Sequence, residues 1–100
     1  MATLAETRRL PLDLAEATAR CAAALRGLGP DVRVEVENPQ FGLVVARRGP
    51  DEAAERFRWE LWPVEPRLTE AKLAIESPGV GFFQRGRLKE TADRLFEQVA

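Results

Sequence analysis

Apolar residues recur along this chain with two different periods. At Leu14, Ala17, Cys21, Leu25 and Leu28 they return every three or four positions on an alanine-rich background, the spacing of one helical face. Asp13, followed three residues later by Glu16, forms an acidic variant of a capping box where that helix starts. Gly27 and Gly29 offer left-handed stop positions, and Pro30 prevents the helix from resuming. The period then falls to two. Val32, Val34 and Val36 alternate with Arg33, Glu35 and Glu37, which predicts a half-buried strand. The turn Asn38-Pro39-Gln40 leads into a second strand over residues 41–48, broken by Gly49-Pro50. A third covers residues 56–62, with Phe57, Trp59 and Leu61 on one face, and Pro63 and Pro66 end it. A fourth covers residues 69–76, with Ala71, Leu73 and Ile75 facing inward.

After the loop Ser77-Pro78-Gly79-Val80-Gly81, residues 83–99 return to helical spacing, with Leu88, Ala92, Leu95, Phe96 and Val99 on one side. Residues 3–9 fit a short first strand with poor alternation. The order is (β)-α-β-β-β-β-α. Short connections favour antiparallel neighbours, and one apolar face per strand needs a cover that two amphipathic helices supply. The expected fold is α+β, an antiparallel four- to five-stranded sheet with an N-terminal and a C-terminal helix packed on one face. One hundred residues fit a single domain, 1–100.

The opening Thr7-Arg8-Arg9-Leu10-Pro11-Leu12-Asp13, running into an alanine-rich helix, resembles the start of START-like, polyketide-cyclase-type proteins. The close, Gly79-Val80-Gly81-Phe82-Phe83 followed by an arginine-rich helix, is similar to their long C-terminal helix, with an antiparallel meander between. The resemblance lies in the order of elements along most of the chain, and no specific motif carries it. It implies a helix-grip fold and a ligand held between sheet and closing helix. The chain is shorter than a typical member, which has more strands and a second short helix, so a smaller enclosed volume is implied. No catalytic residue carries over, because the family shares no single catalytic set.

Composition narrows the chemistry. There is no histidine or tyrosine, one cysteine (Cys21) and one serine (Ser77). Without histidine the usual general base near neutral pH is missing, and Ser-His-acid and Cys-His arrangements are excluded within one chain. Ser77 precedes Pro78 with no nucleophile-elbow context, and Cys21 lies on the inward stripe of the first helix. Zinc, haem and iron–sulfur sites lack their preferred ligands. Glu35 and Glu37, and Asp51-Glu52 with Glu55, match no calcium loop and read as partners for nearby arginines such as Arg33 and Arg58. The Gly79-Val80-Gly81 loop lacks both phosphate-binding glycine motifs, although Arg85 and Arg87 follow it. Neither a metal nor a cofactor is therefore expected.

Fifteen basic residues, thirteen of them arginine, face sixteen acidic ones. This balance argues against a nucleic-acid surface, even with basic patches at Arg47-Arg48, Arg56 and Arg58. No run is long and apolar enough to span a bilayer, and the N-terminus lacks the pattern of a secretory signal. With a single cysteine, a cytoplasmic protein with no membrane partner is the expectation.

Two functions remain. The first is a non-enzymatic binding module that holds an apolar small molecule or a partner segment between sheet and C-terminal helix, lined by Phe41, Phe57, Trp59, Phe83 and Phe96. The alternative is a protein-interaction or oligomerisation domain, for instance a homodimer, with a filled core. It would use an edge strand and Trp62, which strand parity places opposite Phe57 and Trp59, beside Val64.

Overall fold

A computed structural model describes residues 1–79 and 84–100. Strand β1 (Ala2–Leu10) is followed by helix α1 (Leu14–Arg26), strands β2 (Val32–Asn38) and β3 (Leu43–Arg48), a 3-10 turn (Asp51–Ala53), strands β4 (Glu55–Glu65) and β5 (Leu68–Ser77), and helix α2 (Gln84–Val99). The strands form one antiparallel sheet in the order β1-β5-β4-β3-β2. The expected α+β order holds with all five strands present.

Strands β1 and β2 occupy opposite edges, so the connection between them must cross the sheet. Four interstrand spacings amount to roughly 19 Å. The 13 residues of α1 rise about 1.5 Å each and cover nearly the same distance. The helix packs against β2, β3, β4 and β5, while α2 covers β1 and β5 and also touches α1. Asp13 starts α1 as the sequence predicts, its carboxylate accepting from the Glu16 amide at 2.8 Å. The helix ends differently. Gly27 caps it in the right-handed conformation at φ −70°, its amide donating to the Ala23 carbonyl.

Alternation decides the core. Phe57, Trp59 and Leu61 of β4 stand beside Val44 and Ala46 of β3 and Ala71, Leu73 and Ile75 of β5, all buried. Onto them pack Ala17, Cys21 and Leu25 of α1 and Leu88, Ala92, Leu95, Phe96 and Val99 of α2. Burial pushes the Cys21 thiol up to about 12, so it stays protonated and inert.

Two strands depart from simple alternation. A bulge between Val34 and Val36 makes Glu35 the extra residue, and it moves Val36 to the outer face opposite Val45. Strand β4 does not stop at Pro63 but runs on to Glu65. The Leu61 amide donates to the Gly42 carbonyl at 2.7 Å, toward β3. Two residues on, the donor that Pro63 lacks would point the same way, past the end of β3, so the ladder loses nothing there.

Gly42 joins the β2–β3 turn to β4. Its φ is +61°, and a Cβ would run into the Leu61 carbonyl oxygen, which is backbone and cannot swing aside. Gly42→Ala should therefore lower the urea midpoint by an amount equivalent to about 2 kcal/mol or more, with an unchanged m-value. A loss below about 0.5 kcal/mol would show that the turn relaxes at little cost.

Candidate functional site

The region between the β4–β5 surface and α2 is built by strand parity from below and helical spacing from above. Trp59 lies at the centre of the sheet, opposite Val44 on one side and Leu73 on the other. Phe96 descends from α2 to meet it edge to face, with ring centroids 5.0 Å apart and planes at 83°. Phe57 lies two residues along the strand. Leu73 and Ile75 complete the floor, and Leu88 and Ala92 the roof. Trp59, Phe57, Leu73, Leu88 and Phe96 are each at most 3% exposed, so side chains fill this region. Within it the Trp59 indole Nε1–H is buried and finds no acceptor among the described residues.

Charged residues flank the apolar strip on two sides. On β1 the core-facing positions include Glu6 and Arg8, which reach α2 while remaining partly open to water. Lys89 Nζ lies 2.6 Å from the Glu6 carboxylate and 2.9 Å from Asp93, and Arg8 donates to Asp93 at 2.6 Å. The Arg8 guanidinium also sits 4.3 Å from the Phe96 ring centroid, a cation–π contact on the aromatic that faces Trp59. Hydrogen bonds to Glu6 and Asp93 hold the Lys89 ammonium above its ordinary pKa, and those from Lys89 and Arg8 hold Asp93 below the usual carboxylate range.

The second polar group closes the end near the start of α2. Glu55, 13% exposed, accepts from Arg48 Nε at 2.8 Å and from Arg87 at 2.6 Å. Arg87 also donates to Ser77 Oγ at 3.2 Å. Burial is the largest influence on the Glu55 carboxyl and pushes its pKa up. The hydrogen bonds from Arg87 and Arg48, with their charges, outweigh it and leave the carboxyl below its ordinary value. Arg87 is thus committed to Glu55. The outer face carries its own pairs, among them Arg47 with Glu35 at 2.9 Å and Arg33 with Asp51 at 2.8 Å.

The structure brings Phe57, Trp59 and Phe96 of the expected lining together. Phe41 does not join them: it sits on the β2–β3 turn, 79% exposed, where Asn38 accepts from its amide at 3.2 Å. The β-forming run at residues 43–45 had drawn Phe41 into the strand, but Asn38 and Gly42 make it part of the turn. Phe83 lies outside the described residues. Trp62 and Val64 are each 40% exposed, and Trp62 faces away from Phe57 and Trp59. The polar flanks escaped sequence reading, although Lys89 and Asp93 lie four apart on one helical face and Glu6 and Arg8 share the parity of Leu4 and Leu10.

A separate cleft of about 280 Å³ runs between α1 and α2 at the surface, bordered by Arg20, Ala24, Leu28, Arg94 and Leu95. Among the described residues no helix is long and apolar enough to cross a membrane, and no group of three or more acidic or cysteine side chains could hold a metal ion.

No family model matches this chain, and no curated protein does. Solved structures do. The di-domain ARO/CYC StfQ from the steffimycin biosynthetic pathway matches at TM-score 0.71 and 14% identity, over 96% of this chain and 43% of that one. This chain thus spans less than half of that di-domain protein. A START superfamily protein from Mycobacterium smegmatis matches at TM-score 0.71 and 11% identity, over 97% of this chain and 93% of that one. The Zhui aromatase/cyclase from Streptomyces sp. R1128 matches at 0.58 and 10%, over 97% and 93%. At these identities the likeness establishes the fold, which is the START-like, polyketide-cyclase-type fold that the order of elements resembled.

Trp59→Ala should cost about 3–5 kcal/mol in urea denaturation, whereas Trp62→Ala should stay within about 1 kcal/mol of the parent. Equal losses would place the Trp62 ring in the core. For Glu55 the folded pKa is depressed, so its contribution is present above the unfolded value of about 4.3 and fades as pH falls through the folded value. The gap in urea midpoint between the parent and Glu55→Gln should therefore be wide at pH 6 and shrink toward pH 3. A gap independent of pH would mean that the carboxylate charge contributes nothing.

Proposed function

We propose that this protein binds an apolar small molecule between the β4–β5 face and α2, and that it binds without catalysing a reaction. The observation that carries this reading is the Trp59–Phe96 contact, a helix-borne aromatic resting on a sheet-borne one inside an apolar strip flanked by charged pairs. A ligand ring can take the place of the helix-borne aromatic with little change in buried apolar area. The Arg8–Asp93 and Lys89–Asp93 pairs beside the strip are exposed on both sides, so water can replace them at small cost while α2 moves. The fold shared with a START superfamily protein and with aromatase/cyclases supports the same location.

The non-catalytic half of the proposal rests on the side chains present. The chain has no histidine, Cys21 is a buried thiol held protonated, and the Ser77 hydroxyl already accepts from Arg87. The carboxylates nearest the strip are committed to arginine and lysine. An acid–base step would first have to break those pairs.

The test uses Trp62→Phe, which leaves Trp59 as the sole tryptophan. Titration with the uncharged dye Nile red should give saturable uptake at one site, quenching of Trp59 emission and a melting temperature that rises with dye concentration. Uptake that never saturates, or that leaves Trp59 emission and the melting temperature unmoved, would overturn the proposal. A melting temperature set by protein concentration alone would favour self-association through the Trp62–Val64 surface instead.

A further inference from the structure

Resting on that reading, we infer that the bound molecule carries a hydrogen-bond acceptor aimed at Trp59 Nε1, so that the site selects a flat apolar carbonyl compound over the corresponding hydrocarbon. An indole nitrogen is a donor only, and a buried one normally has a partner. The Trp59 nitrogen has none among the described residues.

The buried hydroxyls and the Glu55 carboxylate are turned toward other groups, and none of them bonds the indole among the described residues. The Thr18 hydroxyl donates to the Leu14 carbonyl and the Thr69 hydroxyl to the Leu12 carbonyl, each at 2.8 Å or less. Ser77 Oγ accepts from Arg87, and Glu55 accepts from Arg48 and Arg87. The neighbours of Trp59 in the sheet, Val44 and Leu73, are aliphatic, and the ring above it is Phe96. The unfilled donor therefore belongs to the ring that Phe96 rests on, which a ligand would meet once Phe96 gives way.

A hydrocarbon occupying that place leaves the donor as it was. A ligand oxygen supplies the missing bond in a setting without competing water, where leaving a donor unmade is costly and making the bond is favourable. The expected selectivity is about tenfold in Kd, the size of one net hydrogen bond.

The test compares 9-fluorenone with fluorene, which share a three-ring frame and differ in the carbonyl. In the Trp62→Phe protein, equilibrium dialysis should give a Kd about tenfold lower for fluorenone. The single indole N–H resonance should move downfield with fluorenone and not with fluorene. Trp59→Phe should bind both compounds equally. If the two bind alike to the parent, or if fluorenone leaves the indole resonance in place, the acceptor inference falls while groove binding stands. If neither binds, both readings fall. The resonance measurement needs no change at Trp59, so the inference remains open to refutation even if Trp59→Phe does not fold.

Discussion

The structure depends on one constraint: a sheet with a single apolar face must be covered, and the cover comes from two helices that reach it by different routes. Helix α1 is held by chain connectivity, because it must carry the chain from one sheet edge to the other. Helix α2 follows the last strand and is held by what it touches. Phe96 on Trp59 is the central contact, and the charged groups of β1 and β4 fix the helix laterally. The division of labour is physical. Apolar burial supplies the attraction and has no preferred orientation, while the paired charges set the position of the helix and add little net energy where water reaches them.

Against that background the indole of Trp59 stands out. Other buried polar side chains have found partners, often in the backbone of the segment that they brace: Thr69 ties the start of β5 to the chain between β1 and α1, and Thr18 returns to its own helix. Trp59 contributes size and shape to the core and leaves one donor unused. A phenylalanine would fill much of the same space without that cost, so the nitrogen adds nothing to folding that shape alone would not supply.

The sheet and both helices could be read from the sequence because each buries one face completely, and complete burial writes a clean period. The parity of Phe57, Trp59 and Leu61 against Arg58, Glu60 and Trp62 predicts the buried face of β4, and the spacing of Leu88, Ala92 and Phe96 predicts the buried face of α2. Where burial is partial the pattern fails. Strand β1 looked irregular because Glu6 and Arg8 occupy core-facing positions and answer to Lys89 and Asp93 more than eighty residues away, a pairing that no local window contains. The bulge at Glu35 reverses parity partway along β2, so Val36 looked inward in the sequence and lies outward in the fold. Phe41 was drawn into the lining by its apolar character alone. Its place is set by Asn38 and Gly42, whose turn chemistry outweighs the affinity of one ring for the core.

Pro63 bears on a different hazard. Beyond Leu43, the first residue of β3, β4 projects as a length of extended backbone with Trp62 and Val64 beside it, both partly bare to solvent. Such an overhang is a template on which another chain could lay itself down and begin a fibril. The imino ring removes a main-chain donor from that overhang and puts a rigid bulk in its place. An aromatic beside an unfinished strand is thus guarded by a single residue that contributes nothing to the core.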